Sequence, residues 1–322
     1  MATPDRLISV IIPCRNMGAF VGAAIDSVFG QTHGVHEVIV VDDRSEDSTA
    51  QVLATFDGRI TVLEGPGEGS SVARNLGILA STGDHIAFLD ADDLWLPTKI
   101  EKQVKLLNAD CGFVFADWYR SESPDNPSAP CLLGYSQVAE GEVFSNLLRE
   151  NFVSTSSVLL RKDLLAHTGL FKPKLIGGQD FDLWLRLAKR TRFAWAREPL
   201  VFMRDHPGNI TASRQYPYHR ARVWAEVLRE HSDATAVDLA YMRSRYGKSL
   251  YDAGRHAVRL LDVAMARHHF ALAWRARHSP ALVAFWYAVA RTPRGLMSWL
   301  LRLKRSAARI GRIDLRGPRR TD

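Results

Sequence analysis

His85-Ile86-Ala87-Phe88-Leu89-Asp90-Ala91-Asp92-Asp93 is an apolar run of strand length that stops abruptly at three carboxylates. If the backbone stays extended through Ala91, the two-residue period of a strand sends Asp90 and Asp92 to the same side. Two acidic groups then converge at a strand's carboxyl end, a geometry suited to Mg2+ or Mn2+. Both ions take hard oxygen ligands and commonly share one or two carboxylates with the phosphates of a nucleotide. The competing reading is an acidic loop running into a helix, with Asp93 near its N-cap and Pro97 in its first turn. The stretch alone does not choose between them.

Three further short runs rich in β-branched residues precede this one: Leu7 to Ile12, Glu37 to Val41 and Ile60 to Leu63. The segments between them carry helical spacing, so the alternation predicts βαβ units and an α/β, doubly wound, mostly parallel sheet. Phe20, Ala24, Ile25, Val28 and Phe29 give the first helix an apolar face. Val72, Leu76, Ile78 and Leu79 do so for the third, with Ser70 or Ser71 available as its cap. Open sheets of this kind bind ligands at the carboxyl ends of their strands. Here those ends are Pro13 to Asn16, Asp42 to Ser45 and Asp90 to Asp93, each with polar side chains. Further on, Ser121 to Pro130 reads as a surface loop, Val143 to Leu148 and Asp163 to His167 as helices, and Ser157 to Leu160 as a strand. Beyond about Tyr218 the pattern is helical throughout.

With 322 residues and 46% hydrophobic content, the chain has material for one large domain or one domain with an appendage. Cys14, Cys111 and Cys131 are odd in number and far apart, which argues against a zinc or disulfide framework and fits a reducing cytoplasm. No signal pattern is visible at the start, and the longest apolar run, Ala281 to Ala290, falls short of the ~20 residues that span a bilayer. The net charge of +7 is concentrated: from Arg291 onward ten Arg or Lys stand against Asp314 and Asp322, leaving the preceding residues near −1. A nucleic-acid-binding body would show its own basic face, so no nucleic acid is expected as a partner.

Val41-Asp42-Asp43-Arg44-Ser45-Glu46-Asp47-Ser48-Thr49 sets a second carboxylate cluster at a neighbouring strand end. One acid there can accept hydrogen bonds from a nucleobase or ribose, while Asp47 or Ser45 caps the next helix. Gly65-Pro66-Gly67-Glu68-Gly69 leads into a helix carrying Arg74, where backbone N–H groups and a cation can meet a diphosphate. The glycines lack GxGxxG spacing and no GxxxxGK[ST] loop occurs, which weakens dehydrogenase and P-loop readings. Gly177-Gly178-Gln179-Asp180 puts two flexible residues before a helix whose Leu183 and Leu187 face a core. Asp180 is placed either as a general base or as a cap that offsets the helix dipole. Met203-Arg204-Asp205-His206 adds a cation and an imidazole on a loop after a strand.

In this order and at these separations, SVIIPCRN, EVIVVDDRSEDST, GEGSSVARNLG, HIAFLDADD, GGQDFDLWLRLA and RDHPGN resemble the motifs of the family 2 glycosyltransferases of GT-A fold, over roughly Leu7 to Asn209. The resemblance implies a GT-A domain over residues 1–217, with a nucleotide-binding half at about 1–110 and an acceptor half at about 111–217. A helical extension with a basic tail fills 218–322. By resemblance, Pro13, Arg15, Asn16, Asp42, Asp43 and Ser45 contact base and ribose, joined by Arg74. The acidic triplet looks like the family's DxD motif, with Asp90 on the ribose or metal and Asp92 on Mg2+ or Mn2+. Asp180 resembles the base of the family's ED motif, and His206 the imidazole near the metal and the leaving diphosphate. Two departures stand out. Gln179 occupies a position where the family usually has Glu, and Arg15 one that is often aromatic, so base stacking there falls to a planar guanidinium.

The implied reaction is a single in-line displacement, inverting at the anomeric carbon of a nucleotide-sugar donor, with a hydroxyl of a glycan or lipid-linked acceptor as nucleophile. The family also implies polysaccharide or lipopolysaccharide assembly at the cell envelope. A nucleotidyltransferase acting on sugar phosphates is the rival enzyme, but its glycine-rich signature with a lysine does not follow Ile12. A non-catalytic glycan-binding scaffold would have lost key carboxylates, and all are retained. If Pro293 opens a helix, Leu296, Trp299, Leu300, Leu303 and Ile310 form a stripe beside Arg302, Arg305, Arg309 and Arg312. That stripe suits an anionic membrane surface or, equally, docking on the catalytic domain. The expected location is the cytoplasm, peripheral at the inner face of the membrane if the tail docks there.

Overall fold

The four runs rich in β-branched residues form strands β1 (Ile8–Cys14), β2 (Glu37–Asp42), β3 (Thr61–Glu64) and β4 (His85–Phe88), all paired in parallel. β1 and β4 are buried at every position, which is why they read as unbroken apolar runs rather than alternating ones. The crossovers are α1 (Val21–Phe29), α2 (Thr49–Ala54) and α3 (Ser70–Ala80). The computed structural model describes residues 6–125, 129–206 and 216–291.

α1 buries Val21, Ala24, Ile25 and Val28 as its periodicity predicts. α3 does so only in part: Ala73, Gly77 and Ile78 are buried, whereas Leu79 is 71% exposed. A Cβ on Gly77 would lie 2.5 Å from Ile11 Cγ2, so the helix rests on β1 through its smallest residues. Leu79, two residues on and nearly opposite on the helix, is turned to solvent. Gly69, not Ser70 or Ser71, caps the helix.

The rest of the sheet is mixed. It comprises β5 (Leu94–Trp95), β6 (Cys111–Ser121), β7 (Leu159–Arg161) and β8 (Arg192–Arg204), giving the order β3-β2-β1-β4-β7-β6-β8-β5. β7 is antiparallel to β4 and β6, β5 antiparallel to β8, and β6 parallel to β8. Between them lie α4 (Lys99–Val104), α5 (Phe144–Arg149), α6 (Asp163–Thr168) and α7 (Gln179–Leu187). Ser157, expected in a strand, belongs to a 3-10 turn, Thr155–Ser157. Trp184 fixes α7 on the sheet: fully buried, it meets Phe113 edge-on at 5.1 Å, and Phe113 stacks on Phe193 at 3.8 Å.

The chain divides into two compact units, Met1–Ser213 and Arg214–Asp322. The second holds α8 (Tyr216–Glu230), α9 (Ala236–Arg259), α10 (Val263–Arg275) and α11 (Pro280–Val289). Their shared core includes Leu250, Val258, Phe270 and Val283. Thr235 and Asp262 cap α9 and α10 by accepting from the amides of Asp238 and Met265. The helix expected from Pro293 lies outside the described residues, as do Pro207, Gly208 and Asn209.

Candidate active site

The carboxyl ends of β1 and β2 are tied together by side-chain to backbone bonds. Asn16, in the left-handed region at φ 53, donates its N–H to Ser45 Oγ at 2.8 Å and accepts the Glu46 amide at 2.7 Å. Asp42 Oδ1 accepts the Ser45 amide at 3.0 Å. Asp47 binds the amides of Thr49 at 2.9 Å and Gly18 at 3.0 Å and so braces the start of α2, although the N-cap residue is Ser48 rather than Asp47 or Ser45. Asp43 is buried, and its two oxygens accept the amides of Gly67 and Gly69, each at 2.7 Å. Both glycines have positive φ, 83 and 95, which lets successive amides turn inward on one carboxylate. Asp43 therefore shapes the glycine loop, which leaves the half-buried Asp42 better placed for a ligand. Arg15 is exposed and reaches Gly67 O at 3.3 Å, while Pro13 is buried within β1. Next to it, burial and the Asp42 charge push the Cys14 thiol up to about 12.

At the end of β4 the extended backbone assumed above does not persist. The strand stops at Phe88, and the Asp93 amide donates to Asp90 O at 3.0 Å, closing a turn over Asp90 to Asp93. The acids still gather, because the turn brings them close. Asp93 is not a helix cap; α4 starts beyond Thr98. It is buried, accepts from Ser156 Oγ at 2.5 Å, and is raised well above the usual carboxylate range by burial and by Asp92 and Asp90. Ser156 Oγ also accepts the Asp90 amide at 3.1 Å, and its carbonyl accepts Trp95 Nε1 at 2.8 Å, so the 3-10 turn holds the acidic turn from behind. Asp92 is raised by burial and by Asp90, and its Oδ2 lies 2.8 Å from His206 Nε2.

Asp90 pairs with Arg74, which is only 4% exposed. Arg74 Nε and Nη1 are buried without a hydrogen-bond partner. Facing this pair is Asp180, in the first turn of α7, which follows Gly178 at φ 88. Asp180 is partly exposed, and desolvation raises its pKa; Arg74 pulls it down and Asp90 pushes it up, so the three groups share one field. Asn151 Nδ2 stands 3.5 Å from Asp180 Oδ2, and Gln179 Nε2 reaches Ser70 Oγ at 3.3 Å. The first turns of α3 and α7 thus oppose each other.

Two supports were invisible in the sequence. Asn75 exchanges a pair of bonds with the Phe171 backbone, at 2.8 and 3.0 Å, and pins the segment before α7 to α3. Asp182, fully buried, is bound by Lys172 at 3.0 Å and Arg186 at 2.8 Å, and Arg186 also binds the carbonyl of Leu170 at 2.8 Å. Phe20 was read as a core residue of α1, yet its ring lies 5.1 Å from that of His206 and 4.8 Å from the Arg204 guanidinium. Only its helical spacing was legible, and spacing does not reveal a ring packed on a loop seven strands later.

Asp92 and His206 fit a divalent ion. They offer an oxygen and a nitrogen donor side by side, and the raised pKa of Asp92 marks negative charge that a cation would neutralise. Asp90 is already held by Arg74. Among the described residues there is no group of three or more His, Cys, Asp or Glu placed to hold a metal ion by themselves.

A family model described as Glycosyl transferase family 2 matches residues 9–168. An Escherichia coli protein named UDP-Glc:alpha-D-GlcNAc-diphosphoundecaprenol beta-1,3-glucosyltransferase WfgD is 31% identical over 188 residues, 58% of this chain and 71% of that one. The putative teichuronic acid biosynthesis glycosyltransferase TuaG of Bacillus subtilis (strain 168) is 30% identical over 254 residues, 76% of this chain and 98% of that one. The chain spans about a third, 34%, of the length of the uncharacterized glycosyltransferases it matches in Rickettsia felis and Rickettsia conorii. Mannosyltransferase PcManGT from Pyrobaculum calidifontis, solved with GDP-Man and Mn2+, shares the fold at a TM-score of 0.59 and 19% identity, over 89% of this chain and 86% of that one. With the GT-A architecture, the family match and relatives of this identity aligned over most of their length, the chain belongs to glycosyl transferase family 2.

Proposed function

We propose that the protein is an inverting glycosyltransferase that moves a sugar from a nucleotide-sugar donor to a hydroxyl of a lipid-linked glycan acceptor, with Asp180 as general base. The observation that carries this reading is the opposition of α3 and α7, which sets Asp180 in the field of the Arg74–Asp90 pair. Asn16, Asp42 and Ser45 line the base and ribose end, with Arg15 over them. Arg74 contributes the two unpartnered guanidinium nitrogens to the diphosphate. Asp92 and His206 hold Mg2+ or Mn2+, which when bound acts as a Lewis acid for the departing diphosphate. Asp180 takes the proton of the acceptor hydroxyl as its oxygen bonds to the anomeric carbon, and the bond to the diphosphate breaks on the opposite face. One displacement inverts the configuration.

The relatives' printed names support the substrate classes: WfgD takes UDP-Glc and a diphosphoundecaprenol-linked GlcNAc, and PcManGT holds GDP-Man with Mn2+. The test is release of nucleoside diphosphate from UDP-glucose, UDP-N-acetylglucosamine or GDP-mannose with Mn2+, in the presence of GlcNAc-diphosphoundecaprenol. Release that depends on both the acceptor and the ion is expected. Pyrophosphate release would point instead to the nucleotidyltransferase reading, and α-linked product from an α-linked donor would overturn inversion.

A further inference from the structure

Helix α11 has no charged residue, and of its ten residues only Val283 is buried. Leu282 is 52% exposed and Phe285 60%, with Trp274 on the preceding α10 at 53%. At ~100° per residue, Ala281, Leu282, Ala284, Phe285 and Ala288 share one side of the helix, and all five are exposed. Among the described residues, the helical unit carries six of the ten large hydrophobic side chains left exposed, so apolar surface is concentrated there rather than scattered. The sequence that follows is strongly basic, with ten Arg or Lys against two acids from Arg291 to the end.

We propose that this face of α11 docks on an anionic phospholipid surface, its Leu282 and Phe285 side chains entering the interface. Two properties favour lipid over a protein partner. The exposed side of α11 offers no side-chain hydrogen-bonding group among those five residues, whereas protein interfaces are rimmed by about one hydrogen bond per 100–200 Å². The basic sequence that follows supplies the long-range attraction to a negative surface that apolar contact lacks. No described helix is long and apolar enough to cross a membrane, so the helix would lie in the interface plane. The inference deepens the lipid-linked acceptor reading above but is tested without turnover, so either can fail alone.

The full chain is mixed with vesicles of phosphatidylglycerol and phosphatidylethanolamine, or of phosphatidylcholine alone, and binding is read by co-sedimentation at low and high salt. Binding to the anionic vesicles only, weakened by salt, is expected. The double variant Leu282→Ser, Phe285→Ser should partition at least about tenfold more weakly, with unchanged thermal unfolding and unchanged nucleotide binding as the controls on its fold. Neutralising Arg302, Arg305, Arg309 and Arg312 to Gln should remove the salt dependence. Equal partitioning of wild type and double variant overturns the proposal, as does absence of binding to anionic vesicles. A wild-type oligomer that the double variant dissolves, with vesicle binding unaltered, assigns the face to a second copy of the chain and also overturns it.

Discussion

The strand ends of β1 and β2 and the turn after β4 lie side by side in the sheet, but they are built on opposite principles. In the first, nearly every polar group has a partner: the side chains of Asn16, Ser45, Asp47 and Thr49 accept the amides of Glu46, Asn16, Thr49 and Met17, and Asp43 spends both oxygens on glycine amides. In the second, Asp90, Asp92 and Asp93 crowd together with raised pKa values at two of them, Asp180 is raised nearby, and Arg74 keeps two donors unused. One region is a finished scaffold. The other concentrates shifted acids and buried, unpartnered guanidinium donors, the features on which the proposed cation and diphosphate site rests.

The contrast can be broken most sharply at Asp180. Asp180→Asn should lower turnover by about 10³-fold with little change in donor affinity; single-turnover kinetics alongside donor titration separates the two, and full activity would remove Asp180 as the base. Arg74→Gln should cost roughly 10²-fold in donor affinity by leaving Asp90 unpaired and withdrawing donors from the diphosphate. It should also move the acid limb of turnover. A base raised by desolvation must lose its proton before it works, so wild-type activity falls as pH drops through a value above the ordinary ~3.9 of Asp, and loss of the Arg74 cation shifts that limb to higher pH still. On the finished side the prediction is one of stability: Asp43→Ala strands two loop amides and should lower unfolding free energy by about 2–3 kcal/mol, seen in denaturant titration. If instead Asp43→Ala folds normally and loses only nucleotide, the scaffold reading is wrong. The smallest effect is expected at Phe20→Leu, which loosens the His206 ring; Mn2+-dependent nucleotide binding measured by calorimetry should weaken by about threefold to tenfold, while metal-independent binding stays level.

The same division explains what the sequence disclosed. The parallel half was legible because β1, β2 and β4 are fully or mostly buried and their β-branched runs stand out between amphipathic helices. The second half was not. β6 spans Cys111–Ser121, buried over its first eight positions, but Asp117 breaks its apolar run and three irregularities interrupt its register against β8. Asp42, Asp90, Asp92 and Asp180 were singled out by the order and spacing of the motifs that carry them, since an acid at a strand end or helix start taken alone serves equally as a cap. Asn75, Ser156 and Phe20 were hidden because their partners are distant in sequence: Phe171, Asp93 and His206 are bonded or packed to them only once the chain has closed. Leu79 misled in the other direction, since the periodicity of α3 could not reveal that Gly77 sits flush on Ile11.

Cys14 adjoins Arg15, which is proposed to touch the nucleotide, and a thiol there invites covalent probes. With its pKa near 12, only roughly one such side chain in 10⁵ is ionised at neutral pH. Maleimides and iodoacetamide attack the ionised form, so they should leave Cys14 of the folded protein untouched whether or not its pocket is filled. Alkylation at Cys14 would therefore clock the opening of the first strand, a stopwatch for unfolding rather than a gauge of occupancy.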